Sequence, residues 1–352
     1  MNTFKNILIV RTDRIGDVVL TTPSIKALRQ AYPQARLTML VAPATESIVR
    51  NNPYLDEVMV DDRLNVHKQA GFFKLVWEVR KRRFDLAVIF YTKRRTNFLC
   101  FLAGVPYRLG YKNEKFGFLL NHPVEDRRHE GKKHEAEYCL DLLNVIGIQS
   151  HDLELQISFD PSAERWADEF VKKVKKPSHK LIAIHVGASD PGRQWPVKCF
   201  IQLMRMIQSK YPVQFILVGD QRIKEATDII LKENIPNVYS LINQTSVSQL
   251  ASLFKRCDLL VSNDSGPVHV ASATGVAVVS IFTRIDPGIN PERWRPLGKQ
   301  VRVVSVSESK VKDFIARHPI SFKVAGQLPE EYLQLIAPQE VFEAVDAFIK
   351  LC

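Results

Sequence analysis

Residues 7–41 read ILIVRTDRIGDVVLTTPSIKALRQAYPQARLTMLV. An uninterrupted apolar run, Ile7 to Val10, enters a polar turn with one glycine. A helix-like stretch follows from Asp17, and a second apolar run covers Leu37 to Val41. Short apolar runs without alternation suit strands covered on both faces, so strand, helix and strand in this order predict a parallel βαβ unit. A nucleotide-binding unit of this kind usually carries several glycines at its first turn, which lets backbone N–H groups face a phosphate. Here the turn holds Arg11, Asp13, Arg14, Gly16 and Asp17, so a carboxylate occupies the place of a phosphate.

The same rhythm extends outward. Further strands are predicted at Glu57 to Val60 and Leu86 to Phe90, with helices around Thr45 to Arg50, Phe72 to Arg82 and His134 to Ile146. After a polar helix and a Pro/Ser break in FDPSAERWADEFVKKVKKPSHK (159–180), the pattern restarts. Strands are predicted at Leu181 to Val186, Gln214 to Val218, Val238 to Leu241, Leu259 to Ser262 and Val276 to Ile281. Helices at Val197 to Ser209, Ile223 to Asn234, Val247 to Arg256 and Pro267 to Thr274 separate them. This alternation predicts two open α/β domains joined near residues 160–178, with the ligand site in the cleft at the carboxyl ends of the strands. A length of 352 residues suits two domains. The final amphipathic helix, Pro338 to Leu351, fits either half.

Composition narrows the class. With 45% apolar and 25% charged residues the chain reads as an ordinary globular protein. Arg11, Asp13 and Arg14 interrupt the first apolar stretch before it reaches signal-peptide length, and no run reaches transmembrane length. Cys100, Cys139, Cys199, Cys257 and Cys352 are far apart and form no zinc spacing, which predicts a reduced, cytoplasmic protein without a structural metal. The formal charge of +11 implies an anionic partner. Fourteen basic and five acidic residues lie between Arg80 and His134. That segment reads either as a solvated face or as a docking surface for an acidic substrate or an anionic membrane leaflet. No nucleic-acid-binding motif accompanies the charge.

Phosphate chemistry is concentrated in the second half. In DLLVSNDSGPVHVASATG (258–275), a buried strand ends at Asn263 and Asp264, and Ser265, Gly266 and Pro267 turn into a helix carrying His269. Proline suits the first helical turn, where its missing N–H costs nothing, and glycine lets backbone approach a ligand. The turn offers a seat for an anion, most simply a diphosphate, unless Asp264 or Ser265 merely caps the helix. In IAIHVGASDPGRQWPVKCF (182–200), Arg193 brings a fork of donors to a second strand end, and Trp195 reads as packing. In FILVGDQR (215–222), Asp220 or Gln221 at a third strand end is placed to bond ribose hydroxyls or an adenine edge.

The 7–41 stretch, with its R-x-x-x-x-G-D turn, and NDSGPVHVASATGVAVVSIF (263–282) resemble the two signature regions of glycosyltransferase family 9, the bacterial ADP-heptose:lipopolysaccharide heptosyltransferases. The likeness in pattern and order covers nearly the whole chain. It implies an α/β GT-B fold of two Rossmann-like domains facing a cleft. Residues 1–160 would bind the acceptor, 161–178 would link, 179–337 would bind the nucleotide sugar, and 338–352 would form the helix that fits either domain. It further implies inversion at the anomeric carbon, no obligatory metal or other cofactor, and transfer from ADP-L-glycero-D-manno-heptose to the inner core of lipopolysaccharide. The enzyme would work in the cytoplasm, peripheral to the inner membrane. A related transferase with another nucleotide sugar or acceptor remains the alternative. A two-domain epimerase would need an acid/base partner for Asp17 that the sequence does not supply.

Residue by residue, Asp17 matches the family's general base, and Asp264, Ser265, Gly266 and His269 match its donor-binding turn. Arg193 stands where many members have lysine, Gln221 where some have glutamate, and Thr245 matches a nucleotide contact. An inverting transfer needs a base on the acceptor hydroxyl and positive charge on the departing diphosphate. A cation beside the base would weaken it, so the two functions are expected in separate domains. Arg14, Arg94, Arg95, Arg127 and Arg128 are the expected contacts to the phosphates and carboxylates of the acceptor.

Overall fold

The computed structural model describes residues 3–318 and 328–350. Two compact units divide at Met1–Phe159 and Asp160–Cys352. Cys352, residue 351 of the expected final helix and residues 319–327 of the expected second domain lie outside the described residues.

The first unit contains strands β1 (Asn6–Arg11), β2 (Arg36–Val41), β3 (Glu57–Val60), β4 (Leu86–Ile89), β5 (Tyr107–Tyr111) and β6 (His122–Val124). Its helices are α1 (Ile15–Ala31), α2 (Glu46–Val49), α3 (Gly71–Lys81), α4 (Arg94–Leu102) and α5 (Glu135–Leu143). The sheet order is β3-β2-β1-β4-β5-β6, with every neighbouring pair parallel. Leu8 and Val10 of β1 pack with Leu75, Val76 and Val79 of α3 and Leu99 and Cys100 of α4. Ile7 and Ile9, on the opposite face by strand alternation, are equally buried. Coverage of both faces explains why the strands read as continuous apolar runs.

Helix α1 tolerates a proline in its interior. Pro23 cannot donate to the Val19 carbonyl, and the Thr22 hydroxyl donates to that carbonyl instead at 2.7 Å. The helix packs on α5 and buries Val18 through Ser24.

The second unit contains β7 (Lys180–His185), β8 (Val213–Leu217), β9 (Val238–Ser240), β10 (Leu259–Asn263), β11 (Ala277–Phe282) and β12 (Val301–Ser305). Its helices are α6 (Pro161–Val174), α7 (Val197–Lys210), α8 (Lys224–Lys232), α9 (Val247–Phe254), α10 (Gly266–Thr274), α11 (Pro291–Trp294), α12 (Glu308–Arg317), α13 (Glu330–Leu333) and α14 (Pro338–Ile349). The sheet order is β12-β11-β10-β7-β8-β9, again parallel throughout. Most of the expected linker is α6, which packs on α9 and pairs Glu164 and Asp168 with Arg256. The final helix, α14, packs on α7 and β11 of the second unit.

In each sheet the chain reverses its direction of winding next to its first strand. The switch point lies between β1 and β4 in one unit and between β7 and β10 in the other. Open parallel sheets bind ligands where adjacent connections diverge, at the carboxyl ends of those strands.

Candidate functional site

At the first switch point β1 ends in Arg11, whose guanidinium is buried among three carboxylates. Its Nε donates to Asp13 Oδ1 at 2.9 Å, and its Nη2 lies 2.5 Å from Asp17 Oδ1 and 3.2 Å from Glu135 Oε1. Asp17 sits in the first turn of α1, where the helix dipole favours negative charge. Glu135 opens α5, and Arg128 stands 3.7 Å from it while holding Asp126 at 2.7 Å. Burial pushes Asp13 up to about 7, and the nearby Asp17 adds to the rise against the pull of Arg11.

A cation therefore touches the expected base, contrary to the separation argued from sequence. Arg11 is shared: three carboxylates surround one charge, so the cluster stays rich in negative charge. Arg11 anchors the Asp17 carboxylate, and its own burial is tolerable because every neighbour is an acceptor.

The second switch point is joined by Asn263. Its buried amide Nδ2 donates to the Val186 carbonyl at 2.6 Å, and its Oδ1 accepts from the Trp195 backbone N–H at 3.0 Å. The loop after β7 is thereby fixed to the end of β10. Trp195 is buried, bonded through Nε1 to the Ile336 carbonyl at 2.9 Å and edge-on to Phe200, so packing is its role. Arg193, carried by that loop, meets Asp264 through Nη1 and Oδ2 at 3.3 Å. Its Nε is buried with no hydrogen-bond partner among the described residues. Burial pushes Asp264 up to about 6, with Arg193 opposing the rise.

Ser265 precedes α10, but its side chain does not cap the helix. Its hydroxyl instead lies 3.0 Å from the Asn263 carbonyl, 3.1 Å from Ser262 Oγ and 3.2 Å from His185 Nδ1. Gly266 and Pro267 open α10, and His269 is buried within it. His185 is buried, and burial pushes it down to about 4, which keeps the ring neutral. Gly219, at the end of β8, has a φ of +152° and lies where a Cβ would come within 2.2 Å of Ile223. A larger residue there would have to displace the Ile223 side chain and adopt a backbone conformation that favours glycine.

The remaining expected site residues are distributed as follows. Asp220 caps the turn at Gln221–Ile223 and pairs with Arg222 at 2.5 Å, Gln221 is exposed, and Thr245 is half-buried just ahead of α9. Of the acceptor-side arginines, Arg14, Arg94 and Arg127 are exposed. Arg95 forms a two-pronged pair with Asp61, each contact 2.7 Å, Arg127 pairs with Glu125 at 2.8 Å, and Arg128 is held by Asp126. Sequence reasoning placed Asn263 at a strand end without giving it a role, and missed Arg11 as an anchor and Glu135 and His185 altogether. The placement of Asn263 and His185 at strand ends flanking small-residue loops was a usable signal.

Two parallel α/β units, one switch point rich in carboxylates and the other bearing a half-buried guanidinium beside a helix start, fit a glycosyltransferase of the GT-B fold class. Residues 72–321 match Glycosyltransferase family 9 (heptosyltransferase), and the chain belongs to that family. It is 24% identical to lipopolysaccharide heptosyltransferase 2 of Escherichia coli K12, over 97% of this chain and 98% of that protein. The crystal structure of a family 9 glycosyl transferase from Veillonella parvula superposes with a TM-score of 0.84 at 22% identity, covering 99% of this chain and 98% of that one. The E. coli ADP-heptose lps heptosyltransferase II structure superposes with a TM-score of 0.77 at 21% identity, covering 99% of each chain.

Proposed function

We propose that this enzyme transfers a heptose from ADP-L-glycero-D-manno-heptose to the inner core of lipopolysaccharide, with inversion, and that Asp17 is the general base. The Asp17 carboxylate takes the proton from an acceptor hydroxyl as that oxygen attacks the anomeric carbon. The bond from that carbon to the diphosphate oxygen breaks, and ADP leaves with the electron pair. The observation that carries this reading is the opposite chemistry of the two switch points. One holds an anchored carboxylate at a helix start, and the other holds a guanidinium nitrogen without a partner among the described residues, beside a helix start not capped by its own serine.

In this reading the first unit binds the acceptor and the second binds the nucleotide sugar. Arg193 and the N–H groups at the start of α10 carry the diphosphate, within the turn formed by Asp264, Ser265, Gly266 and His269. Asp220, Gln221 and Thr245 contact the nucleoside, with Asp220 first exchanging its bond to Arg222 for a ribose hydroxyl. Arg14, Arg94, Arg95, Arg127 and Arg128 meet anionic groups of the acceptor, Arg95, Arg127 and Arg128 sharing with it the carboxylates that hold them. The lipid-borne acceptor places the enzyme at the inner face of the cytoplasmic membrane. The name of the E. coli relative and the match to the heptosyltransferase family support the substrate class.

The purified protein is tested with ADP-heptose and defined core acceptors, alongside thermal shift with ADP, UDP and GDP. Heptosylated core with selective stabilisation by ADP is expected. Stabilisation by another nucleotide, without heptose transfer, would refute the donor assignment.

A further inference from the structure

Ten large apolar side chains stand out as exposed among the described residues, and six of them fall between residues 64 and 118. They are Leu64 (74%), Val66 (54%), Phe73 (63%), Trp77 (55%), Phe101 (45%) and Phe118 (80%). Two of them, Phe73 and Phe118, are the ends of one continuous aromatic track. Phe73 touches Phe72 with ring centroids 5.9 Å apart, Phe72 stacks on Phe98 at 6.1 Å, Phe98 meets Phe116 at 6.2 Å, and Phe116 meets Phe118 at 5.7 Å. Trp77 lies one helical turn beyond Phe73 on α3, and Val66 is pressed against the start of that helix, where a Cβ on Gly71 would come within 2.1 Å of its carbonyl oxygen. At the other end, the backbone of Phe116 turns through the left-handed region (φ 63°) just before the exposed Phe118.

Cations border this track. Eight lysines and arginines between residues 68 and 115 are exposed, against one exposed acid, Glu114. Lys81 Nζ lies 3.5 Å from the centre of the Trp77 ring, and Arg94 approaches Phe116 at 5.8 Å. Aromatic rings amid lysines and arginines match the boundary of an anionic bilayer, where rings sit at headgroup level and long basic side chains reach the phosphates. A protein interface would instead be depleted in lysine. No helix among the described residues is long and apolar enough to cross a membrane, so the surface would rest on the bilayer.

We propose that the edge formed by Phe73, Trp77 and Phe118 inserts into the interfacial layer of an anionic membrane, with Lys74, Lys81 and Lys115 on its headgroups. The inference rests on the proposed function for its purpose, since a lipid-borne acceptor is presented at a bilayer. Its test reads binding alone and stands apart from sugar transfer.

Flotation compares the full chain on vesicles of phosphatidylcholine alone and of phosphatidylcholine with about 30% phosphatidylglycerol. The wild type is expected on the anionic vesicles. The triple variant Phe73→Ser, Trp77→Ser, Phe118→Ser is expected to partition on the order of 100-fold more weakly, with unchanged Tm and ADP affinity. Lys74→Glu with Lys115→Glu, a variant that leaves the aromatic track intact, is expected to weaken binding to anionic vesicles and reduce its salt sensitivity. Wild-type protein that stays off anionic vesicles would overturn the proposal. So would a folded triple variant that binds as wild type does, or light scattering in which the triple variant merely dissolves a wild-type dimer that ignores vesicles.

Discussion

Replacing Asp13 with asparagine is expected to change how stability depends on pH. In the folded protein, burial and the neighbouring Asp17 push Asp13 up to about 7, whereas an unfolded aspartate titrates near 3.8. Between those values the folded state retains a proton that the unfolded state has lost, so stability falls as pH rises and levels off above about 7. At about 1.4 kcal/mol per pH unit, the wild type loses roughly 2 to 3 kcal/mol between pH 5 and pH 8 through this one group. The amide of the Asp13→Asn variant cannot titrate. The variant retains Arg11 with Asp17 and Glu135, still more carboxylate than guanidinium. Its stability relative to wild type should therefore grow by roughly 2 to 3 kcal/mol from pH 5 to pH 8, measured by urea unfolding at each pH. Parallel pH curves for the two proteins would refute the account of Asp13 as a buried carboxyl that holds its proton near neutrality.

Two further substitutions probe the second switch point. Arg193→Ala is expected to raise the Kd for ADP by about 10- to 100-fold in calorimetry, the worth of a charge-assisted contact. Adding Asp264→Asn should recover fold stability, by relieving the buried unpaired carboxylate, without recovering ADP affinity. Asn263→Ala should cost about 2 to 4 kcal/mol in chemical denaturation, because it leaves the Trp195 N–H and the Val186 carbonyl without their partner.

The two sheets were legible because strands covered on both faces must be largely apolar, as in Ile7 to Val10 and Leu259 to Val261. The strands absent from the sequence reading lie toward or at sheet edges. β5, YRLGY, breaks its apolar pattern with arginine and glycine, β6 has three residues including a proline, and β12, VRVVS, is only partly covered. Helix α4, RRTNFLCFL, was hidden by a basic start that reads as surface charge.

As candidates, Asp17 and Arg193 were legible from the residues around their turns. Their surroundings were not, because those depend on which distant segments the topology joins. Arg11 meets Glu135 across 124 positions of sequence, and Asn263 meets the Trp195 N–H across 68. The acceptor-side arginines show the same limit in reverse. Their number was plain, but the carboxylates that hold Arg95 and Arg128 are visible only in three dimensions. Phe73 and Trp77, spaced one helical turn apart, carry nothing in the sequence that tells an exposed helix face from a buried one, and the fold turns them outward.

The central claim is that Asp17 removes the proton from the acceptor hydroxyl. Its most direct measurement is the turnover of Asp17→Asn with ADP-heptose and core acceptor, together with calorimetric binding of ADP. Asparagine keeps the size of the side chain and its place beside Arg11 but cannot accept the proton. Transfer should fall by about 100-fold or more while the Kd for ADP is unchanged. Turnover near the wild-type rate would contradict the assignment.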